Sequence, residues 1–418
     1  MWQANKKPRA RRAGRAGCKD NLLLYQQTLI TLPDPQGMFS NPSGITRALQ
    51  SFRIENQALC YSTFAPKLYN WCLKLGFTRG RIMPSRAFCS DESQGVPIIL
   101  LAKHFGVFPF NHGRVGGIVS VDRHGPHADH GRDLMLLQSS HVGHDPDTGE
   151  FGVYRRLHTE NGHNSCSCGK IGNILEWYRT EYRYARENVR LTRFDGQPVV
   201  LVDNLLLNTE RKQGLFLNLE RLVQHDAAGK FYTLNTLSTA YALPAATALI
   251  ERLGATSWPE HGSVELGDRL APEDFYFKRV FASHDPFQDQ LERNLLAPMP
   301  WIVSAKHPLL TAACVTTQAE FDRTYRSLAH NPAMLDKNML FISGINIDLS
   351  PTDQSHFPLT QFVPWAAYLH LADGTRQILE QDELLETLAG MSADNPNQIC
   401  FDESIEIMSR VPKVRIQL

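Results

Sequence analysis

From Ser43 to about Gly76 the apolar positions recur at helical spacing: Ile45, Leu49, Phe52, Ile54 and Leu59, then Leu68, Trp71 and Leu73. That spacing puts them on one face, so the stretch reads as helical. Arg79 to Phe88 reads as a turn and then a short strand. Pro84 restricts that strand to a sheet edge or a strand start, because proline brings no N–H to a ladder. Val96 to Phe105 reads as a helix or a buried run. Val115 to Val121 reads as a strand containing Gly116 and Gly117, and Leu134 to Gln138 as a second short strand that ends at Ser139-Ser140-His141.

Further on, Ile171 to Leu191 has helical periodicity through Ile174, Leu175, Trp177, Tyr178 and Tyr182, and Val199-Val200-Leu201-Val202 is a buried-strand run. Thr236 to Leu253 is Ala-rich and reads as helix. Ala367 to Leu371 reads as a hairpin strand closed by Asp373-Gly374, and Asp382 to Gly390 as a short helix. Strands alternating with helices predict an α/β fold with a partly parallel sheet. Mixed polarity from Trp258 to Asp285 marks a boundary. The predicted organisation is a basic disordered tail over 1–20, one domain over 21–257, and an α+β C-terminal extension or second domain over 258–418.

The chain has 418 residues, 42 % of them apolar and 21 % charged, which is ordinary for a soluble globular protein. Lys plus Arg and Asp plus Glu both total 43. That balance argues against a dedicated nucleic-acid binder, which carries a basic excess. Only the first twenty residues break it, where Lys6, Lys7, Arg9, Arg11, Arg12, Arg15 and Lys19 face Asp20 alone. No apolar stretch has the character of a secretory signal or the length of a bilayer span. With eight sparse cysteines, the expectation is reduced thiols in the cytoplasm rather than a disulfide framework.

Three short elements carry chemistry: Cys89-Ser90-Asp91, His141-Val142-Gly143, and Cys166-Ser167-Cys168-Gly169. Cys89 closes a predicted strand where helix N-terminal amides would favour its thiolate. The alternative for such a residue is a small buried apolar side chain. His141 ends an apolar strand, but it is one of sixteen histidines. Cys166 and Cys168 lie in a loop rich in Gly, Asn and Ser, just before a helix, where packing explains a thiol poorly. They would serve redox chemistry or a metal. Taken together, two thiolates and an imidazole make a three-ligand zinc site with a fourth position free, as catalytic zinc requires. The third ligand is either Cys166 or Cys168. Asp91, two residues after the first Cys, stands where it could hold or release the fourth position.

At these residues the chain resembles the limiting-CO2-inducible B protein family, the theta carbonic anhydrases, which are themselves similar to β-type carbonic anhydrases. Cys89-Ser90-Asp91-Glu92 matches a Cys-Arg-Asp-Glu motif. Phe110-Asn111, with Gly113, Gly116 and Gly117 after it, matches a Phe-Asn-glycine element, His141-Val142-Gly143 a His-Ile-Gly motif, and Ser167-Cys168-Gly169 a Ser-x-Cys-Gly element. The match runs from Ser85 to Ile171. The resemblance implies a β-carbonic-anhydrase-like mixed sheet flanked by helices, and a homodimer. It also implies Zn2+ on Cys89, His141 and Cys168, with Asp91 accepting a hydrogen bond from zinc-bound hydroxide as it attacks CO2 to give bicarbonate.

Two departures stand out. The family has Arg directly after the Cys, and β-type enzymes have it four residues after; here those positions are Ser90 and Ser93. Arg86 or Arg114 is the candidate that would pair with Asp91 instead. With no such arginine, the carboxylate would close the zinc site, leaving a silent relative that binds zinc, bicarbonate or a protein partner. A zinc hydrolase acting on a larger substrate is the third reading. The second departure is a segment bearing His124, His127 and His130, read as a polar loop, a proton shuttle or an extra metal site.

Overall fold

The computed structural model describes residues 42–121, 132–155, 164–236, 239–281, 289–350 and 359–412. The basic tail and the segment with His124, His127 and His130 lie outside the described residues. Seven strands form the main sheet: β1 (Leu59–Cys60), β2 (Ile82–Ala87), β3 (Phe110–Asn111), β4 (Asp133–His144), β5 (Met339–Leu349), β6 (Leu359–His370) and β7 (Arg376–Leu379). Their order is β1-β6-β5-β4-β2-β3, with β7 also on β6. The pairs β2–β3, β2–β4 and β4–β5 are parallel, while β6 runs antiparallel to β5, β1 and β7. The α/β fold with a mixed sheet flanked by helices is therefore present.

Strand β4 shows why the sheet is central. Leu134 and Leu136 belong to the apolar cluster on one face, and Met135 and Leu137 to the cluster on the other. Burial on both faces explains its unbroken apolar run. Helices α1 (Pro42–Ser51), α2 (Tyr61–Lys74), α3 (Gly95–Phe105), α4 (Gly169–Asn188), α5 (Pro308–Ala329) and α6 (Gln381–Ala389) are the principal helices. Leu68, Leu101 and Leu384, from α2, α3 and α6, sit in the cluster with Met135. Leu175 and Phe321, from α4 and α5, sit in the cluster with Leu136.

A second, five-stranded antiparallel sheet follows α4. It runs in the order 235–236, 240–244, 197–203, 189–194, 264–265. Its Val189, Leu191, Val200 and Val202 join the same cluster as Leu134 and Phe341. Residues from both sides of 257/258, Trp258 and Phe275 among them, belong to that cluster. The longest partner of both β4 and β6 is the same strand, β5, Met339–Leu349.

Several local expectations need correction. The helical stretch from Ser43 to Gly76 is two helices, α1 and α2, with Asn56 at a left-handed φ of 59° and strand β1 between them. Pro84 lies inside β2 and pairs with Met135 of β4. It shares its ladder side with Arg86, whose carbonyl accepts from His112 N. On that side β3 reaches only Ser85 and Arg86, so the missing N–H costs no β3 bond. Residues 115–117 form a tight turn rather than strand, with Gly116 and Gly117 both at φ 80°. Strand β4 continues through His141 to His144. The Ala-rich stretch 236–253 is mostly not helix. Ala240–Pro244 pairs with Val199–Asp203, and the helix spans only Thr247–Leu253. Pro244 is excluded from a helix interior, and the free edge of the 197–203 strand recruits the residues before it.

Candidate metal centre

Cys89 follows the carboxyl end of β2, and His141 lies near the carboxyl end of β4, its neighbour. From β2 the chain turns outward through α3 to β3. From β4 it passes instead to Cys168 and α4. Such a reversal at the carboxyl ends of parallel strands opens the crevice where α/β proteins bind ligands. Cys168 is the N-cap residue of α4, and Gly143 N donates to Ser167 O at 2.9 Å, tying its loop to the end of β4.

The three side chains meet. One ligand atom from each of Cys89, His141 and Cys168 lies within 4.8 Å of the others, and all three residues are buried. The two sulfurs are 3.9 Å apart. Cys166 is not in this group. It is half-buried and its Sγ points to the Cys168 carbonyl oxygen at 3.7 Å. Of the two thiols, it is Cys168 that the structure groups with Cys89 and His141. This Cys-His-Cys group could bind a metal ion.

The thiols are electrostatically unlike. The hydrogen bond with Cys168 lowers the Cys89 thiol to about 4 against the effect of burial, with help from His141 and the Gly116 N–H. That N–H lies 3.1 Å from Cys89 Sγ. Cys168 is pushed up by the same thiol pair and by burial, so of the two it keeps its proton. For His141, burial opposes protonation, but the charge and hydrogen bond of Asp348 outweigh it and raise the imidazole.

His141 Nδ1 lies 2.7 Å from Asp348 Oδ2, with both side chains fully buried. Among the described residues, His141 Nε2, equally buried, has no hydrogen-bond partner. A buried imidazole nitrogen without a partner, beside two thiols, fits a soft or borderline divalent metal. Four further side chains donate to Asp348: Ser93 Oγ at 2.8 Å, Gln94 Nε2 at 2.9 and 3.1 Å, Ser167 Oγ at 3.1 Å and Thr360 Oγ1 at 3.3 Å.

Asp91 caps the short turn Glu92–Gln94, accepting from Ser93 N at 3.4 Å. Its charge is felt at two neighbours. Tyr154 is raised chiefly by burial, then by Asp348 and Asp91, and Cys166 is raised by burial with Asp91 contributing. Arg114 Nε donates to Ser120 Oγ at 2.9 Å. Arg86 is half-buried on β2, its Nε has no hydrogen-bond partner among the described residues, and burial lowers its pKa. Ser90 is exposed, whereas Ser93 is buried against Asp348.

Asp348, Gln94, Thr360 and Tyr154 were missed in the sequence. The one signal for Asp348 is Ile345-Asn346-Ile347-Asp348-Leu349, where polar residues alternate through a strand whose apolar neighbours are buried. That pattern also describes an ordinary half-exposed strand.

No family profile matches the chain, and no curated protein matches it. Among solved structures it is similar to PtLCIB4, a homolog of the limiting CO2-inducible protein LCIB, at 13 % identity and a TM-score of 0.45, covering 81 % of this chain and 99 % of that one. It is also similar to LCIB, at 13 % identity and a TM-score of 0.42, covering 78 % of this chain and 96 % of that one. Among the described residues, no helix is long and apolar enough to cross a membrane.

Proposed function

We propose that this chain is a zinc enzyme that interconverts CO2 and bicarbonate. The observation that carries the reading is the buried triad of Cys89 Sγ, His141 and Cys168 Sγ, within 4.8 Å of one another, in which His141 Nε2 has no other partner among the described residues. Two sulfurs and one nitrogen form a three-ligand zinc set, with the fourth position left for a small molecule. The motif resemblance from Ser85 to Ile171 supports CO2 as that molecule's partner in reaction.

Cys89, His141 and Cys168 would hold the metal, and zinc there would bring a water's pKa near neutrality and so supply a nucleophile. Asp91, at the mouth of the turn after Cys89, orients that nucleophile by accepting its hydrogen bond. Arg114 or Arg86 pairs with Asp91 and keeps it an acceptor rather than a ligand. The thiols require a reducing compartment such as the cytoplasm, and the working form is a homodimer.

A silent variant of this reading draws on one observation. Neither Ser90 nor Ser93 supplies the guanidinium that the resemblance places beside Asp91. Stopped-flow CO2 hydration by zinc-loaded protein separates the two. A zinc-dependent rate rising between about pH 7 and pH 9 supports the enzyme. Stoichiometric zinc with no rate above background supports the silent binder. Purified protein with no zinc uptake overturns both.

A further inference from the structure

We infer that Asp348 is the positioning residue of the metal centre: it fixes the His141 tautomer that leaves Nε2 free to bind metal. The inference rests on the metal reading above and adds to it a residue 207 positions from the histidine it orients.

The argument follows from hydrogen-bond direction. An ionised carboxylate only accepts. Ser93, Gln94 and Ser167 approach it with N–H or O–H groups, and Thr360 Oγ1, at 3.3 Å, shares its one proton between Asp348 and the Ser93 carbonyl at 3.2 Å. With Gln94 Nε2 turned to Asp348, Gln94 Oε1 faces away and accepts from Asn346 Nδ2 at 2.6 Å. Asn346 Oδ1 in turn accepts from Tyr61 Oη at 2.7 Å. Every amide in this buried chain therefore takes the orientation dictated by a carboxylate at its end, and the chain is satisfied in one direction only.

His141 Nδ1, 2.7 Å from the same carboxylate, must then be the donor. An imidazole that binds metal carries one N–H, so with that proton held on Nδ1 the lone pair falls on Nε2. That is the nitrogen without a hydrogen-bond partner among the described residues. Carboxylates that hold a ligand histidine in this way raise its basicity and fix its ring, and their loss costs metal affinity. The network also spans the fold: it joins α2 through Tyr61, the turn after Cys89 through Ser93 and Gln94, the Cys168 loop through Ser167, β5 through Asn346 and β6 through Thr360.

The test compares wild type with Asp348→Asn by zinc titration against a chromophoric chelator, alongside melting of both proteins after chelation. An Asn amide can donate to Nδ1 and so stabilise the tautomer with its proton on Nε2. The expected result is zinc affinity roughly 10- to 100-fold weaker in a protein whose chelated form melts like wild type. Equal affinity overturns the inference. If Asp348→Asn does not fold, Thr360→Val and Ser167→Ala keep the carboxylate and each remove one donor. A several-fold loss of affinity in both supports the inference, and no change in either overturns it. Should wild type take up no zinc, the metal reading fails by itself. The positioning claim is then decided by 1H–15N spectra of histidine-labelled protein. A solvent-protected Nδ1–H of His141 that disappears in Asp348→Asn supports it, and no such resonance in wild type overturns it.

Discussion

Cys89 Sγ and Cys168 Sγ lie 3.9 Å apart, although 79 residues separate them in the chain. Cys166, two residues from Cys168, directs its sulfur elsewhere, to the Cys168 carbonyl. The two thiols of the Cys-Ser-Cys element should therefore differ sharply on substitution. Cys168→Ser should lower zinc affinity by at least about 100-fold, since a serine hydroxyl is a poor substitute for thiolate. Cys166→Ser should change it by no more than a few-fold. Equal losses in the two variants, measured by chelator competition, would make the ligand assignment wrong.

Metal uptake should release protons. Cys89 is lowered to about 4, so at pH 7 it is already thiolate. Cys168 and His141 are both raised and hold their protons there. A ligand must lose its proton to bind, so zinc displaces about two protons per site near pH 7. Affinity therefore rises with pH, by about two decades per pH unit around neutrality. Calorimetry in buffers of different ionisation heat reads the proton count directly. A count near zero would mean that both groups are already deprotonated.

The glycine turn beside the site makes a backbone prediction. Gly117 has φ 80°, and a Cβ there would sit 2.2 Å from the Ser139 carbonyl oxygen. Its neighbour Gly116 donates to Cys89. Gly117→Ala should cost at least about 2 kcal/mol, the left-handed strain plus a backbone clash, and should weaken zinc binding by moving the Gly116 N–H. Gly149 has φ 72° but nothing within 4 Å of its Cβ position. Gly149→Ala should cost only about 1 kcal/mol and leave zinc affinity unchanged. Denaturant midpoints and zinc titration of the pair test both statements.

What was legible in the sequence was local. Cys89, His141 and the Cys166/Cys168 pair stood out because metal donors sat at strand ends and loop mouths, and the turn at Asp373-Gly374 identified a hairpin from two residues. What was not legible depends on partners distant in sequence. Asp348 is marked by nothing near it, and its meaning comes from His141, Ser93 and Thr360 on other strands and turns. The stretch 236–253 misled because alanine favours helix in isolation, whereas the bare edge of the 197–203 strand decided the outcome. The central place of β5 and β6 was hidden for the same reason. Strand pairing over more than two hundred residues leaves no periodic trace.

Away from the site, His104 should make the fold acid-sensitive. It lies in the last turn of α3, 6 % exposed, with Nδ1 3.2 Å from Asn395 Nδ2, an amide donor that prefers neutral imidazole. Burial, and secondarily the charge of Lys103, lower its pKa to about 4. A base whose folded pKa is depressed binds fewer protons folded than unfolded, so between its two pKa values stability rises with pH. The stabilisation is complete above about pH 6.5 and declines as pH falls toward 4, by up to about 3 kcal/mol for this group alone. His104→Gln keeps a polar side chain for Asn395 but cannot titrate. Urea midpoints at pH 4.5 and pH 7 should therefore lie closer together in the variant than in wild type. An identical spacing in both would show that His104 does not supply the acid sensitivity.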